Sequence, residues 1–541
     1  MKRLFMVVAV LAVVATAAAM PGSGMGSARI APRSVHGEAA FGLARAAAPR
    51  LDAATRKAAA GFKFVDFPEF GGRIAVSADG TTALVSATGV HAGRGAVYVY
   101  HASGAGSWAS TSTPTATLTS SAIGPQEEFG RGLALSADGT TAFIGAPHHE
   151  GGTVSVYHVA SEDAWTSASS PTATLSANHG YSVGFSIGAS ADGTTVVVGA
   201  PDTNTYAGGA FVFHVASEDA WISTSVPTAV LSNAAEPEAD EGVGGVVALS
   251  SDGTTALVSD SYASHGAGAG YVWHVASEST WTTSSTPTAI LSNASAFAED
   301  ALGGSLSLSG DGTTAFLAAP GANQNAGAVD VFHVADEADW ATTGAPTAIL
   351  ASAAGHIGDQ FGSFARASAD GTTLVATAPY VAKRRGAAFL FHVADEGSWV
   401  STATPTVVLT DSARQPSDYL GEGVAVSGDG ATVFAGAPGV NWLTGIADVF
   451  HASDASSWAT TATPTATLTN AALPKPVCIV PRLVGLPLAF ARFVISGYTD
   501  CRLGKVKKVK STTKKGRIVA QSPAANKKIA PGSKISLTVN R

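Results

Sequence analysis

Variants of the hexapeptide Ser-Ala-Asp-Gly-Thr-Thr recur seven times along this chain, and no other feature restricts its fold as much. The Asp-Gly pairs are Asp79-Gly80, Asp138-Gly139, Asp192-Gly193, Asp252-Gly253, Asp311-Gly312, Asp370-Gly371 and Asp429-Gly430, at a period of about 59 residues. A second mark, a tryptophan ahead of a Pro-Thr pair, keeps the same register at Trp108, Trp165, Trp221, Trp281, Trp340, Trp399 and Trp458. Two independent marks in one register define seven equivalent units.

Within each unit the hydrophobic pattern has period two. In FGRGLALSADGTTAFIGAPHHEGGTVSVYHVA, which begins at Phe129, apolar residues alternate on both sides of Asp-Gly. This predicts two strands joined by a type I′ hairpin. A third strand follows a Gly-rich loop, Thr153 to His158, and a fourth follows Trp165, Pro171 to Leu175. Each unit is therefore read as a four-stranded meander, strands A to D. A single such sheet cannot bury both faces, whereas seven around an axis can, with the first meeting the last. No distinct capping unit is visible at either end, as an open array would require. The expected fold is mainly β, a seven-bladed β-propeller over 61–473 followed by a small α+β domain over 474–541.

Phe-Gly opens strand A at Phe70-Gly71, Phe129-Gly130 and Phe361-Gly362, and Gly-Ala-Pro closes strand B at Gly145-Ala146-Pro147, Gly199-Ala200-Pro201 and Gly436-Ala437-Pro438. With the later Trp, this pattern resembles FG-GAP repeats, known from integrin α-subunit propellers and bacterial surface proteins. Leu302, Leu420 and Val243 replace the Phe in other units. Blades of the integrin type often carry a calcium loop. Here the A–B turn offers a single carboxylate where three or more oxygens are wanted, so no metal is expected.

Seven histidines end strand C: His101, His158, His214, His274, His333, His392 and His451. One copy per blade cannot converge on a single site, so each is read as satisfying a local polar group, and the seven Trp as packing between blades or over strand D. In a meander the D–A and B–C connections share one face. The A–B turns of the opposite face are nearly identical and read as structural, while the B–C loops differ from unit to unit. They supply the candidate ligand residues His148, His149, Asp202, Tyr206, Tyr262, Lys383, Arg384, Arg385, Asn441 and Trp442, with Glu150, Asn204, His265 and Asn323 to Asn325 beside them. Glu69, Glu128, Glu241, Asp300, Asp359 and Asp418 precede strand A and form an acidic collar on the same face. Glu127 and Glu128 are neighbours on an extended segment and poorly placed as an acid/base pair. Strand A reads as little but Gly, Ala, Val, Leu and Ser, which argues against catalysis in an axial channel. No nucleophile elbow, zinc-protease helix or phosphate loop occurs in a fitting context. Neither an enzyme nor a cofactor is expected.

The ends carry different information. Lys2 and Arg3 precede an apolar run and small residues to Ala19, the pattern of a secretory signal over 1–19, followed by an Ala-rich spacer over 20–60. From Lys475 onward about fifteen Lys and Arg face the single acid Asp500, although the whole chain is formally −8. Cys478 and Cys501 are the two cysteines, and in an exported chain that pair is read as bridged rather than metal-bound.

The segment from Val477 reads as a strand, a helix around Leu488 to Ser496, and strands near Arg502 to Val509, Gly516 to Gln521 and Ser533 to Val539. Val480-Pro481, Val484-Gly485-Leu486, Gly504-Lys505-Val506, Gln521-Ser522-Pro523 and Gly532-Ser533 make it resemble the PASTA domain of bacterial envelope kinases and penicillin-binding proteins. That resemblance implies contact with peptidoglycan. Independently, Lys507, Lys508, Lys514, Lys515 and Arg517 favour an anionic polymer. The functional expectation is a secreted, envelope-associated, non-enzymatic binding protein whose partners are a cell-wall polymer and a protein or glycan ligand. Nucleic acid and a transmembrane segment are not expected. A propeller-type lectin and an axial-channel enzyme are the alternatives.

Overall fold

The computed structural model describes residues 67–541, apart from 179–180, 204–206, 235–241, 354, 476, 498–500 and 514. The signal and spacer expected over 1–60, Tyr206, Glu241 and Lys514 therefore lie outside the described residues, as does the Trp442 side chain. The chain divides into two compact units, one containing Phe67–Pro474 and the other Lys475–Arg541.

Among the described residues, the first unit holds seven four-stranded antiparallel sheets, each pairing its strands in chain order. In the second sheet the strands are Leu133–Leu135, Thr141–Ala146, Thr153–His158 and Ala173–Leu175. Strand B is buried along its whole length, because both of its faces meet other sheets. Among the described residues, helix is confined here to single turns.

The seven sheets close into a propeller-like ring, and the closure is visible in hydrogen bonds. At the A–B turns the N–H of Ala78 donates to the carbonyl of Ala137, Ala137 to Ala191, Ala191 to Ser251, Ser251 to Gly310, Gly310 to Ala369, Ala369 to Gly428, and Gly428 back to Ala78, at 2.7–2.9 Å. With neighbouring backbones about 4.8 Å apart, such a circle is roughly 11 Å across before any side chain is added. This end of the axial channel is therefore narrow.

A second circle runs through the opposite loops, where Gly95, Gly152, Gly208, Gly268, Gly327, Gly386 and Gly445 each bridge the residue that opens strand A of the next sheet; the last bridge returns to Phe70. Glycine is required there by close approach: a Cβ on Gly95 would stand 2.0 Å from the Phe129 carbonyl oxygen. The apolar core follows the same plan. Phe70, Val85 and Tyr98 of the first sheet pack with Phe434, Val449 and Leu468 of the last, and Trp108 meets Phe434 edge-on at 5.2 Å.

The hairpin differs from the type I′ expectation. Among the turn residues Gly80 alone has positive φ, and its N–H donates to Ser77, so Asp79 occupies an ordinary type I turn followed by a left-handed glycine. The aspartate side chain explains the preference: Asp79 Oδ1 accepts from Ser77 Oγ at 2.6 Å, Thr81 N at 3.0 Å and Thr81 Oγ1 at 2.8 Å. Its oxygens are committed to the turn itself.

The strand C histidines hold the hairpin to strand C. Nδ1 of each lies 2.8–3.0 Å from the Oγ1 of the threonine that opens strand B, from His101 with Thr82 to His451 with Thr432. In five cases that threonine also donates to a glutamate of the next sheet, Glu162, Glu218, Glu278, Glu337 or Glu396. A hydroxyl has one proton, so where it donates to the carboxylate the imidazole must supply Nδ1–H. The tryptophans complete the joint, each Nε1 donating to the glycine carbonyl of its own Asp-Gly turn, as Trp165 does to Gly139 at 2.8 Å.

In the second unit the helix Leu488–Gly497 accompanies a three-stranded sheet in which Lys534–Asn540 lies between Arg502–Val509, parallel to it, and Ile518–Ser522, antiparallel. Val480, Leu483, Ala491, Ile495, Ile518, Ile535 and Leu537 form its core. Cys478 and Cys501 are disulfide-bonded, with Cα atoms 4.9 Å apart.

Candidate functional site

The D–A and B–C loops meet on one face of the ring and lock to each other. In five sheets the B–C loop makes a single left-handed turn, with positive φ at His91 and Ala92, Ser264 and His265, Asn323 to Asn325, Ala382 to Arg384, and Asn441 with Leu443. Non-glycine residues resist this conformation by about 1–2 kcal/mol each. It persists because the carbonyl ending the turn is used: Gly93 accepts from Glu128 N, Gly266 from Ala301, Asn325 from Gln360 and Arg384 from Tyr419. The loop face is thus a braced surface.

The loop residues singled out by sequence do not converge on one centre. His149 Nδ1 lies 2.6 Å from Glu127 Oε2, and His148 Nε2 lies 3.6 Å from Glu128 Oε2, so each adjacent carboxylate takes its own imidazole partner. Asp202 accepts from Ser182 Oγ. Tyr262 is 54% exposed. Lys383, Arg384 and Arg385 stand on or beside the left-handed turn of the sixth sheet, and Asn441 on that of the seventh. The collar acids brace their own loops. Asp300, Asp359 and Asp418 each accept from the backbone N–H three residues earlier, at 2.6–2.8 Å, and Glu127 does the same for Gly124.

This face also carries a concavity at one sheet. A pocket of about 590 Å³ opens at the fifth sheet between the D–A segment Asn293 to Leu302 and the turn Ala322–Asn325. Phe297 at its edge is 77% exposed, while Asp330 in its wall is 2% exposed. Burial pushes the Asp330 carboxyl up to about 6; the Asn293 amide, donating at 2.8 Å, pulls it down and the Asp300 charge pushes it further up. Asn323, Gln324 and Asn325 add amide donors and acceptors.

The axial channel is not the bland surface that strand A suggested. Arg73, Arg131, Arg366, Phe185 and Phe364 all lie on or just before the innermost strands. The Arg73 guanidinium sits 5.2 Å from the centre of the Phe364 ring, and Arg131 4.5 Å from that of Phe185. Arg366 Nη1 donates to Ala365 O at 2.8 Å and Leu306 O at 3.2 Å. Burial, followed by the charges of Arg131 and Arg366, brings Arg73 down to about 9, while Glu422 and Glu128 act in the opposite sense. Periodicity masks these arginines in the sequence, because each occurs in one unit and at its own place in the strand.

In the C-terminal unit, Arg502–Val509 is an edge strand with Arg502, Lys505, Lys507 and Lys508 exposed, and Lys515 is exposed beyond it. Arg517 Nη1 donates to Gly485 O at 2.5 Å. Gln521 clamps the N-terminal arm, its Nε2 donating to Pro481 O at 2.8 Å and its Oε1 accepting from Leu483 N at 2.6 Å. Residues 479–541 match the PASTA domain family. The C-terminal unit is a PASTA domain. Its basic edge strand and the Gln521 clamp both fall within the matched span. No curated protein matches the chain. Among solved structures, the chain is similar to Kuenenia stuttgartiensis hydrazine synthase, with 14% identity over 73% of this chain and 99% of that one, at a TM-score of 0.46. No described helix is long and apolar enough to cross a membrane.

Proposed function

We propose that this is an exported, non-enzymatic binding protein of the bacterial envelope, in which the PASTA domain contacts peptidoglycan or another anionic wall polymer and an FG-GAP-type propeller presents its loop face to a second ligand. The PASTA match, with a lysine-rich exposed edge strand, is the observation that carries this reading. A polyanion approaching such a strand gains long-range attraction that salt screens. Export is supported by the residues preceding Ala19, and a binding role by loops that vary on a braced ring.

Sedimentation with purified peptidoglycan tests it. The full chain is expected to co-sediment at low ionic strength and progressively less as salt rises. Replacing Lys507, Lys508, Lys514 and Lys515 with Gln should remove the salt-sensitive part. Failure of the unaltered chain to sediment at low salt would sink the wall-binding assignment. A second reading, a propeller-type lectin, is favoured by the pocket at Phe297 and Asn323 to Asn325, where an exposed ring and several amides suit a sugar. A glycan array with the lysine-substituted chain separates the two readings.

A further inference from the structure

The innermost strands bring three guanidinium groups into one lumen. Sheets one and six are not neighbours in the ring, so the contact between Arg73 and Phe364 spans the inner edge of the seventh sheet. All three arginines lie on or just before the innermost strands of this narrow ring, and the charges of Arg131, Arg366, Glu422 and Glu128 all reach Arg73. Ion pairs account for none of them: among the described residues no carboxylate lies within pairing distance of these guanidiniums. Arg366 is anchored by backbone carbonyls, whereas Arg131 is held by the Phe185 ring and has no side-chain hydrogen bond among the described residues. Clustered like charges destabilise one another at low dielectric, and an anion between them reverses that cost. Planar guanidinium forks match the oxygens of carboxylate and phosphate in particular.

We propose that Arg73, Arg131 and Arg366 form a binding site in the axial channel for a carboxylate or phosphate group of an anionic ligand, entered from the loop face. The circle of hydrogen bonds at the A–B turns narrows the other end. Arg73 and Arg131 stand immediately after the D–A loops, at the entrance, and Arg366 lies deeper along its strand. Phe185 and Phe364 hold two guanidinium planes in place, so an incoming oxyanion meets donors already oriented. The site goes beyond the wall-binding assignment and depends on the ring alone.

Titration calorimetry of the full chain with tripolyphosphate and, separately, citrate tests it, at constant ionic strength and with the four PASTA lysines named above changed to Gln. Saturable binding of at least one probe is expected. Arg131→Gln should weaken it tenfold or more, with Arg131→Lys between the two and melting temperature unchanged. Tighter citrate binding identifies a carboxylate ligand and tighter tripolyphosphate a phosphate one. Absence of saturable binding by both probes, or equal affinity in Arg131→Gln, overturns the proposal. Peptidoglycan sedimentation by Arg131→Gln with native lysines reads the wall assignment separately.

Discussion

Asp330 and Asp448 occupy the same register position on strand C of the fifth and seventh sheets, and both are buried. Burial pushes Asp448 up to about 7 against the pull of Arg414 and Thr467, and Asp330 up to about 6. A carboxyl raised in the fold favours the folded state below its unfolded pKa, near 4. That advantage is lost as pH climbs through the folded value. Asp330→Asn, which keeps an acceptor for Asn293, is therefore expected to match the parent at pH 4 and to exceed it at pH 8 by roughly 2–3 kcal/mol, since one pKa unit is worth about 1.4. Denaturant midpoints at the two pH values check this; equal differences at both would show that Asp330 is ionised at no cost. Its position on strand C could be read in the sequence. Its burial follows from the Tyr98, Phe211, Tyr271 and Phe389 that fill the same place in other sheets, but its amide partner Asn293, which lies in a different segment, could not be read.

The joint between neighbouring sheets is the element that the sequence half disclosed. Seven histidines and seven tryptophans announced themselves by repetition, and each bonds the turn of its own sheet. The glutamate that ties one sheet to the next is present in five units and replaced by Ala105 and Ala455 in the other two. Ala455 stands beside Gly430 and Thr373, where its counterparts place a carboxylate. Ala455→Glu should therefore bond Thr372 and Thr373 and stabilise the chain by about 1 kcal/mol, the usual size of a charged hydrogen bond at partial exposure. Glu278→Ala should cost a similar amount at Thr194 and Thr195. Urea midpoints measure both, and an unchanged midpoint in each would mean that these brackets contribute nothing. The same turns predict calcium independence, because each aspartate already accepts from its own Ser and turn backbone, as Asp252 does from Ser250 and Thr254. Chelator should leave the melting temperature unchanged; a fall of many degrees would place an ion in these turns.

At the scale of the molecule, stability depends on closure. Each sheet buries its faces against two neighbours, so excising Gly421 to Leu468 exposes Phe70 and Tyr98 on one side and Leu390 and Leu409 on the other. The shortened chain is expected to aggregate. A soluble, cooperatively melting six-sheet product in a thermal scan would show that the ring can close without the seventh sheet.

Repetition made the meander, the sheet count and the uniformity of the A–B turns legible, because identical units impose identical local physics seven times over. The PASTA domain was legible for a different reason, as its glycines, prolines and apolar positions are tied to short-range strand and turn geometry. Features carried by single units needed the tertiary structure. The pairing of Glu127 with His149, the pocket over Asp330 and the meeting of Arg73, Arg131 and Arg366 join residues that belong to different loops or different sheets. Local pattern sets which face of a strand a residue occupies, but only closure of the ring decides which other side chain it meets across the lumen.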